Sequence, residues 1–402
     1  AAHWASERPG ADGPVSDATD LVDAVVGPWR DFVALLEADL PFDTERLRVD
    51  GMRFTLAYLA AGLNMAIEGD PAYPQFLRFA DALCSWGINN PDGNYALLPL
   101  DGRGTYRITG DLGTAPVIEF QVHAPTFLGA PDYRITGATK RADLEVGPDG
   151  TLELWLGGEP RSGNWMPLTP DAESVLFRQF FGSWDDQRPA RLAVERMDLP
   201  YPPAPLARAD LEARLGRLVR WFTDAGVHWH SICKATLAAG DNRFVFHPAS
   251  FSDAGGHQGQ SYGFGVHRLG PDEALVIEID PPANAYWSVQ LANRFWDSFD
   301  YDRRQSSLNM DQVHLDADGR FHGVVAVADP GVANWLDPAG NPWGSIMGRF
   351  LDPAATPVAT CTVVPTAGLR AFLPSDTRWV SPEERSDILR RRHVAHQLRQ
   401  GF

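Results

Sequence analysis

The chain has 402 residues, with 35 basic and 52 acidic side chains and a formal net charge of −17. That length predicts two or three domains at roughly 150 residues each, and 44% apolar with 22% charged residues is the make-up of a packed protein, not a disordered one. The acid excess excludes nucleic acid as a partner, because phosphate binding needs a basic surface, and argues against docking on an anionic membrane.

In chain order, residues 1–15 are rich in Gly, Pro and Ser and are expected to form a flexible terminus. Residues 16–90 are predicted as a helical block. Leu21, Val22, Val25, Trp29, Phe32 and Leu36 recur at helical spacing, and two more such stretches follow within 49–87, broken at Gly69-Asp70-Pro71. The pattern then switches to alternation, so residues 91–205 are predicted as a first β domain. Its strands are expected over 104–111, 116–123, 174–181 and 191–197, with a hairpin over 144–156 turning at Gly147-Pro148-Asp149-Gly150. After the prolines of 201–205, residues 206–240 return to helical period as a linking helix. Residues 241–380 are predicted as a β-sandwich of the jelly-roll kind, with strands over 260–268, 273–280, 285–293, 307–315, 320–328, 345–351 and 359–365. Ser381-Pro382-Glu383-Glu384 then opens a C-terminal helix with a cap, a proline in the first turn and early acids. The fold class is therefore α+β, mainly antiparallel β, with a helical N-terminal block and two sandwich-like domains.

Chemical motifs are few. Lys140 and Lys234 are the only lysines, and neither ends a phosphate-loop string, so Schiff-base chemistry has two candidates and a Walker loop has none. Cys84, Cys233 and Cys361 lie far apart, which fits a reducing compartment and excludes a disulfide scaffold. No apolar run reaches the ~20 residues of a membrane span. The expected location is the cytoplasm, although a start at Ala1 is compatible with a removed leader. Gly259-Gln260-Ser261-Tyr262-Gly263 matches a nucleophile elbow, but a strand-like segment follows it where a helix is required. His228-Trp229-His230 would share a metal only on a strand, and its surroundings have helical period. His123 is expected to be a satisfied histidine of a strand. No metal and no cofactor is predicted.

Three loops crowd polar and aromatic residues: 89–95, 286–309 and 329–338. Each alone is ordinary turn and ion-pair chemistry. Their interest is that three loops of one kind could converge on a cleft walled by tryptophan.

At these loops the sequence resembles a known bacterial family. The strings NPDGNYALLPLDGRGTYRITG, GNWMPLTPDAESVLFRQFFGSWD, YGFGVHRLGPDEALVIEIDPPANAYWSVQLANRFWDSFDYDRRQSSLN and DADGRFHGVVAVADPGVANWLDPAG occur in that order. They are similar to domain of unknown function twelve-fourteen, whose members often travel with domain twelve-fifty-four. The resemblance spans residues 86–352 and implies a β-sandwich, jelly-roll-like C-terminal domain, but no established reaction. Where members usually read N-W-L-D-x-x-G-H, this chain ends the motif in Asn341.

The leading expectation is a cofactor-independent hydrolase or lyase that uses general acid–base chemistry on a small apolar or glycosylated molecule. Asp300 is the expected acid or base, with Tyr301 and Arg304 polarising an oxygen. Trp287, Trp296 and Trp335 would form apolar walls, and Asp92, Asn94, Tyr95, Asn293, Asn334 and Asp337 would complete the binding set. The alternative is a non-catalytic jelly-roll protein that binds carbohydrate or lipid. The expected partner is a small molecule, and a homo-oligomer is compatible with either reading.

Overall fold

The structure, a computed structural model, describes residues 18–40, 42, 44–125, 132–248, 256, 257, 259–284 and 286–400. The expected flexible terminus lies outside the described residues.

Two helices, α1 (Ala18–Asp39) and α2 (Glu45–Gly62), open the described chain. Thr44 caps α2 by accepting from the Leu47 N–H at 3.2 Å. The helix then widens into a π-turn at Leu63–Ile67 and stops. The second helical stretch expected before residue 87 does not form. Residues 70–87 are turns around a two-residue strand, β1 (Leu77–Arg78), because Gly69-Asp70-Pro71 ends the helix and Asp81 caps the Leu83 and Cys84 amides.

The first sandwich contains β2 (Gly93–Pro99), β3 (Tyr106–Asp111), β4 (Val117–Ala124), β5 (Arg134–Lys140), β6 (Thr151–Leu156), β7 (Trp165–Met166), β8 (Ser174–Phe180) and β9 (Arg191–Arg196). One sheet runs β1-β2-β8-β4-β5 and the other β7-β6-β3-β9. Ile108 and Leu154 of one sheet share a core with Phe120 and Phe177 of the other. The predicted 144–156 hairpin has only its second arm as a strand. Gly147–Gly150 makes the turn, but residues 144–146 pair with nothing in the sheets.

The linking segment is α3 (Arg208–Arg220), a π-turn at Trp221–Gly226, and α4 (Val227–Ala238). Trp221 is seated against α2, donating to Tyr58 O and stacking on its ring at 4.3 Å. A Cβ at Gly62 would fall 2.3 Å from the Trp221 ring, so this approach requires glycine.

The second sandwich comprises β10 (Arg243–Phe246), β11 (Gln260–Arg268), β12 (Glu273–Ile279), β13 (Tyr286–Ala292), β14 (Ser307–Asn309), β15 (Phe321–Ala326), β16 (Trp335–Leu336), β17 (Trp343–Leu351) and β18 (Ala359–Pro365). Its sheets are β10-β11-β17-β13-β14 and β16-β15-β12-β18. Val289, Ile346 and Phe350 meet Leu275, Ile277 and Val325 in the shared core. The strand expected over 307–315 ends at Asn309, whose side-chain oxygen accepts from the Asp311 and Gln312 amides and turns the chain. After α5 (Leu369–Phe372), α6 (Pro382–Arg399) closes the chain with the predicted capping box, Ser381 and Glu384 bonding each other's backbone amides. Among the described residues no helix is long and apolar enough to cross a membrane.

Candidate functional site

In each sandwich the inner strands of the five-stranded sheet are buried on both faces, as β4 and β8 are in the first and β13 and β17 in the second. In β8, Val175 and Phe177 enter the sandwich core, so Leu176, Arg178 and Phe180 point the other way. In β17, Ile346 and Phe350 enter the second core, and Met347 and Arg349 take the opposite face. These two outward faces, with the helical layer, enclose a cavity of about 130 Å³. Tyr95 of β2, His123 of β4, and Tyr262 and Phe264 of β11 complete the sheet walls. Trp221, Ala225, Trp229 and Ile232 line it from the helices, and Phe79, Trp86, Gly87, Ile88 and Trp296 from connecting loops. The volume is close to the ~150 Å³ of an apolar cavity that holds one benzene ring.

The loop wall is held in strained backbone. Ile88 and Trp296 are non-glycine residues at φ 50° and 59°, a region that a β-branched side chain rarely enters. They brace each other: the Ile88 N–H donates to Trp296 O at 2.8 Å. Strain of this kind concentrates at functional sites. Trp296 also stacks on Phe264, with ring centres 5.8 Å apart, and packs beside Trp229 at 6.1 Å.

The polar part of the wall is ordered by one strand. Glu119, Gln121 and His123 alternate on β4 and share a buried face. Arg178 reaches Glu119 at 3.3 Å and donates to Gln121 Oε1 at 3.1 Å, while the Gln121 amide N–H donates to Gly256 O at 3.1 Å. Those contacts orient the amide, so the His123 Nε2–H donates to Gln121 Oε1 at 2.8 Å and Nδ1 is left as an acceptor. Burial, reinforced by Arg178, pushes the His123 pKa down to about 3, so its ring is neutral at physiological pH. Burial raises the Tyr95 hydroxyl to about 12. Arg349 donates to Gln290 Oε1 and to Ile88 O, both neutral acceptors.

Of the residues singled out from sequence, Tyr95 and Trp296 line this cavity. The other ten lie elsewhere. Asp300 sits at the surface, 28% exposed, in an ion pair with Arg53. Tyr301 is buried in the first core and accepts from Asn89 at 3.0 Å. Arg304 pairs with Asp337 at 2.9 Å, and Asp337 also caps the Ala339 amide. These three expected catalytic groups therefore do not assemble around a common space. Trp287 stacks on Phe350 inside the second sandwich, and Trp335 donates to Ala326 O beneath its outer sheet, so both are core. Asn293 folds back onto the Phe295 and Asp297 amides, and Asn334 ties His314 to the loop at 2.9 Å and 2.6 Å. Asn94 donates to Arg399 O at 2.8 Å.

Two of the three polar loops do converge, but as a latch. Asp92 is fully buried and accepts from Tyr286 O–H, from Trp184 Nε1 at 2.8 Å and from Asn309 at 2.7 Å. Arg392 and Arg399 of α6 lie over the Trp184 ring, each 4.2 Å from its centre, and supply countercharge. The third loop joins at the rim, where Gln305 donates to Ala333 O and Trp335 O. Ser261 is inside β11 and donates to His247 O at 2.6 Å, so it is no nucleophile elbow. His228 and His230 lie on a helix, and His230 bonds Asp39 at 2.8 Å. Among the described residues no group of three or more His, Cys, Asp or Glu side chains could hold a metal.

The pattern of "Protein of unknown function (DUF1214)" matches residues 268–355. A solved structure of an uncharacterized protein from Burkholderia cenocepacia is 31% identical, with a TM-score of 0.80, over 87% of this chain and 97% of that one. The chain belongs to the DUF1214 family. A second solved structure, the VPA0106 protein from Vibrio parahaemolyticus, is 12% identical with a TM-score of 0.43, over 77% of this chain and 100% of that one. No curated protein matches. The DUF1214 match ends at residue 355 and includes Trp296, Met347 and Arg349 of the cavity. The opposite wall, from β2, β4 and β8, is contributed by residues before it.

What sequence reasoning missed was this opposite wall. A signal was present: Glu119-Phe-Gln121-Val-His123 alternates polar and apolar in a strand, and Arg178 and Arg349 interrupt apolar strands. Such alternation ordinarily marks a solvent face. Here the polar positions are buried beneath a second unit.

Proposed function

We propose that this DUF1214 protein binds a single ring-sized, largely apolar molecule in the junction cavity and does not turn it over. The observation that carries this reading is the cavity itself, about 130 Å³ at the meeting of two sheets and a helical layer, with ten aromatic residues in its lining among the described residues. The chemistry of the wall favours binding over catalysis. Its histidine is neutral down to a pKa of about 3 and its Tyr95 hydroxyl titrates at about 12, so neither is poised to move protons near neutrality. A cytoplasmic setting belongs to this reading and agrees with three free thiols. Acid–base turnover of the hydrolase or lyase kind is the second reading. One observation favours it: Asp297, next to the wall residue Trp296, is raised by burial to about 7.

The test is titration with toluene, benzyl alcohol and benzamide, followed by quenching of the cavity tryptophans. Saturable 1:1 binding that Ile232→Trp abolishes by filling the cavity is the expected result. Absence of saturable binding by all three would overturn the reading. Conversion of a bound compound to a product, lost in Asp297→Asn, would transfer it to the enzyme class.

A further inference from the structure

The cavity wall has an excess of hydrogen-bond donors. Arg349 is 5% exposed, and among the described residues its guanidinium meets only the amide oxygen of Gln290 and the backbone oxygen of Ile88. No carboxylate among the described residues pairs with it. Glu119 is committed to Arg178, and Asp92 lies among Arg392, Arg399 and its own three donors. Two further side chains of the wall, Trp229 and Trp296, have buried indole N–H groups with no acceptor among the described residues. A buried permanent cation without a countercharge is costly, and so is each buried donor left unpaired. The unpaired cation is explained if the occupant of the cavity brings acceptor oxygens and a negative charge.

We infer that the ligand of this cavity is a ring-sized carboxylate, its ring held among the aromatic walls and its carboxylate received by Arg349. This rests on the binding reading above and adds the charge of the ligand to it. Arginine suits the role because its planar fork matches a carboxylate and stays charged when desolvated. The opposite corner, with its neutral His123 acceptor and the Glu119–Arg178 ion pair, is balanced in charge and takes the uncharged end.

The experiment compares benzoate with benzamide, which share a shape and differ in charge, on the full chain at neutral pH. Benzoate is expected to bind at least about tenfold more tightly, the size of one charge-assisted contact. Arg349→Gln should erase that preference by weakening benzoate, so that the benzoate-to-benzamide ratio falls to about one. If Arg349→Gln fails to fold, the benzoate-to-benzamide ratio of the unaltered protein still decides. Equal or tighter binding of benzamide overturns the anionic assignment and leaves the cavity reading standing. Failure of both compounds, with toluene and benzyl alcohol also silent, overturns both.

Discussion

Two buried polar regions of this molecule are built in opposite ways. Around Asp92 the carboxylate itself is fully partnered by the protein, with three donors and the charges of two arginines of α6 that lie over Trp184, although Nε and Nη1 of Arg399 have no acceptor among the described residues. Around the cavity, Arg349 has no carboxylate and two indole N–H groups have no acceptor among the described residues. Residue type alone does not separate the two, since both contain tryptophan, arginine and asparagine. Countercharge does. At Asp92 buried groups of opposite charge meet inside the protein, whereas Arg349 meets no carboxylate among the described residues.

The contrast can be broken most forcefully at Asp92. Asp92→Ala removes the carboxylate whose charge offsets Arg392 and Arg399, and by the cost of uncovering a buried charge it should destabilise by about 3–5 kcal/mol in urea unfolding. A loss below about 1 kcal/mol, the size of an exposed pair, would show that the latch is not a stability element.

Acid should act on both regions at once. Burial lowers His123 at the cavity and His396 beside Trp184 each to about 3, against an ordinary 6.5. The unfolded chain therefore binds more protons than the folded one between those values. Stability is fully present above pH 6.5 and falls as pH drops toward 3, by up to about 1.4 kcal/mol per pH unit for each histidine. His123→Gln and His396→Gln should each flatten that slope in thermal melts at pH 4–7, a range set by the two pKa values. A slope unchanged in both variants would refute the assignment.

The smallest effect is expected at Asp300. Its pair with Arg53 is between side chains 28% and 45% exposed, so Asp300→Asn should shift stability by less than about 1 kcal/mol. It should also leave probe binding in the cavity unaltered. A large loss of binding would restore the loop carboxylate to the functional site.

Much of the fold was legible because local pattern and tertiary environment agreed. Ser381 through Glu384 formed the capping box that its spacing predicts, and β11, β12 and β18 fall on the alternating segments within a residue. The failures lie where tertiary contact overrides local signal. Residues 70–87 have helical spacing, yet they form the turns that carry Phe79, Trp86 and Ile88 into the cavity wall. The dense loops read as a site because turn-forming Asp and Asn look the same in sequence whether they cap an amide, as Asn293 does, or face a ligand.

By itself the sequence determined the order of helical and β segments, the placement of most strands and caps, and the absence of a phosphate loop. Those are local properties, written in period and turn residues. Which strand faces are buried twice was decided only by the tertiary structure. Alternation tells that Arg178 and Arg349 leave their own sandwich core, but not that another layer covers them. That burial turned two arginines and a Glu-x-Gln-x-His strand from apparent surface into the walls of a cavity. It also moved Trp287 and Trp335 into the core and kept Trp296 at the wall.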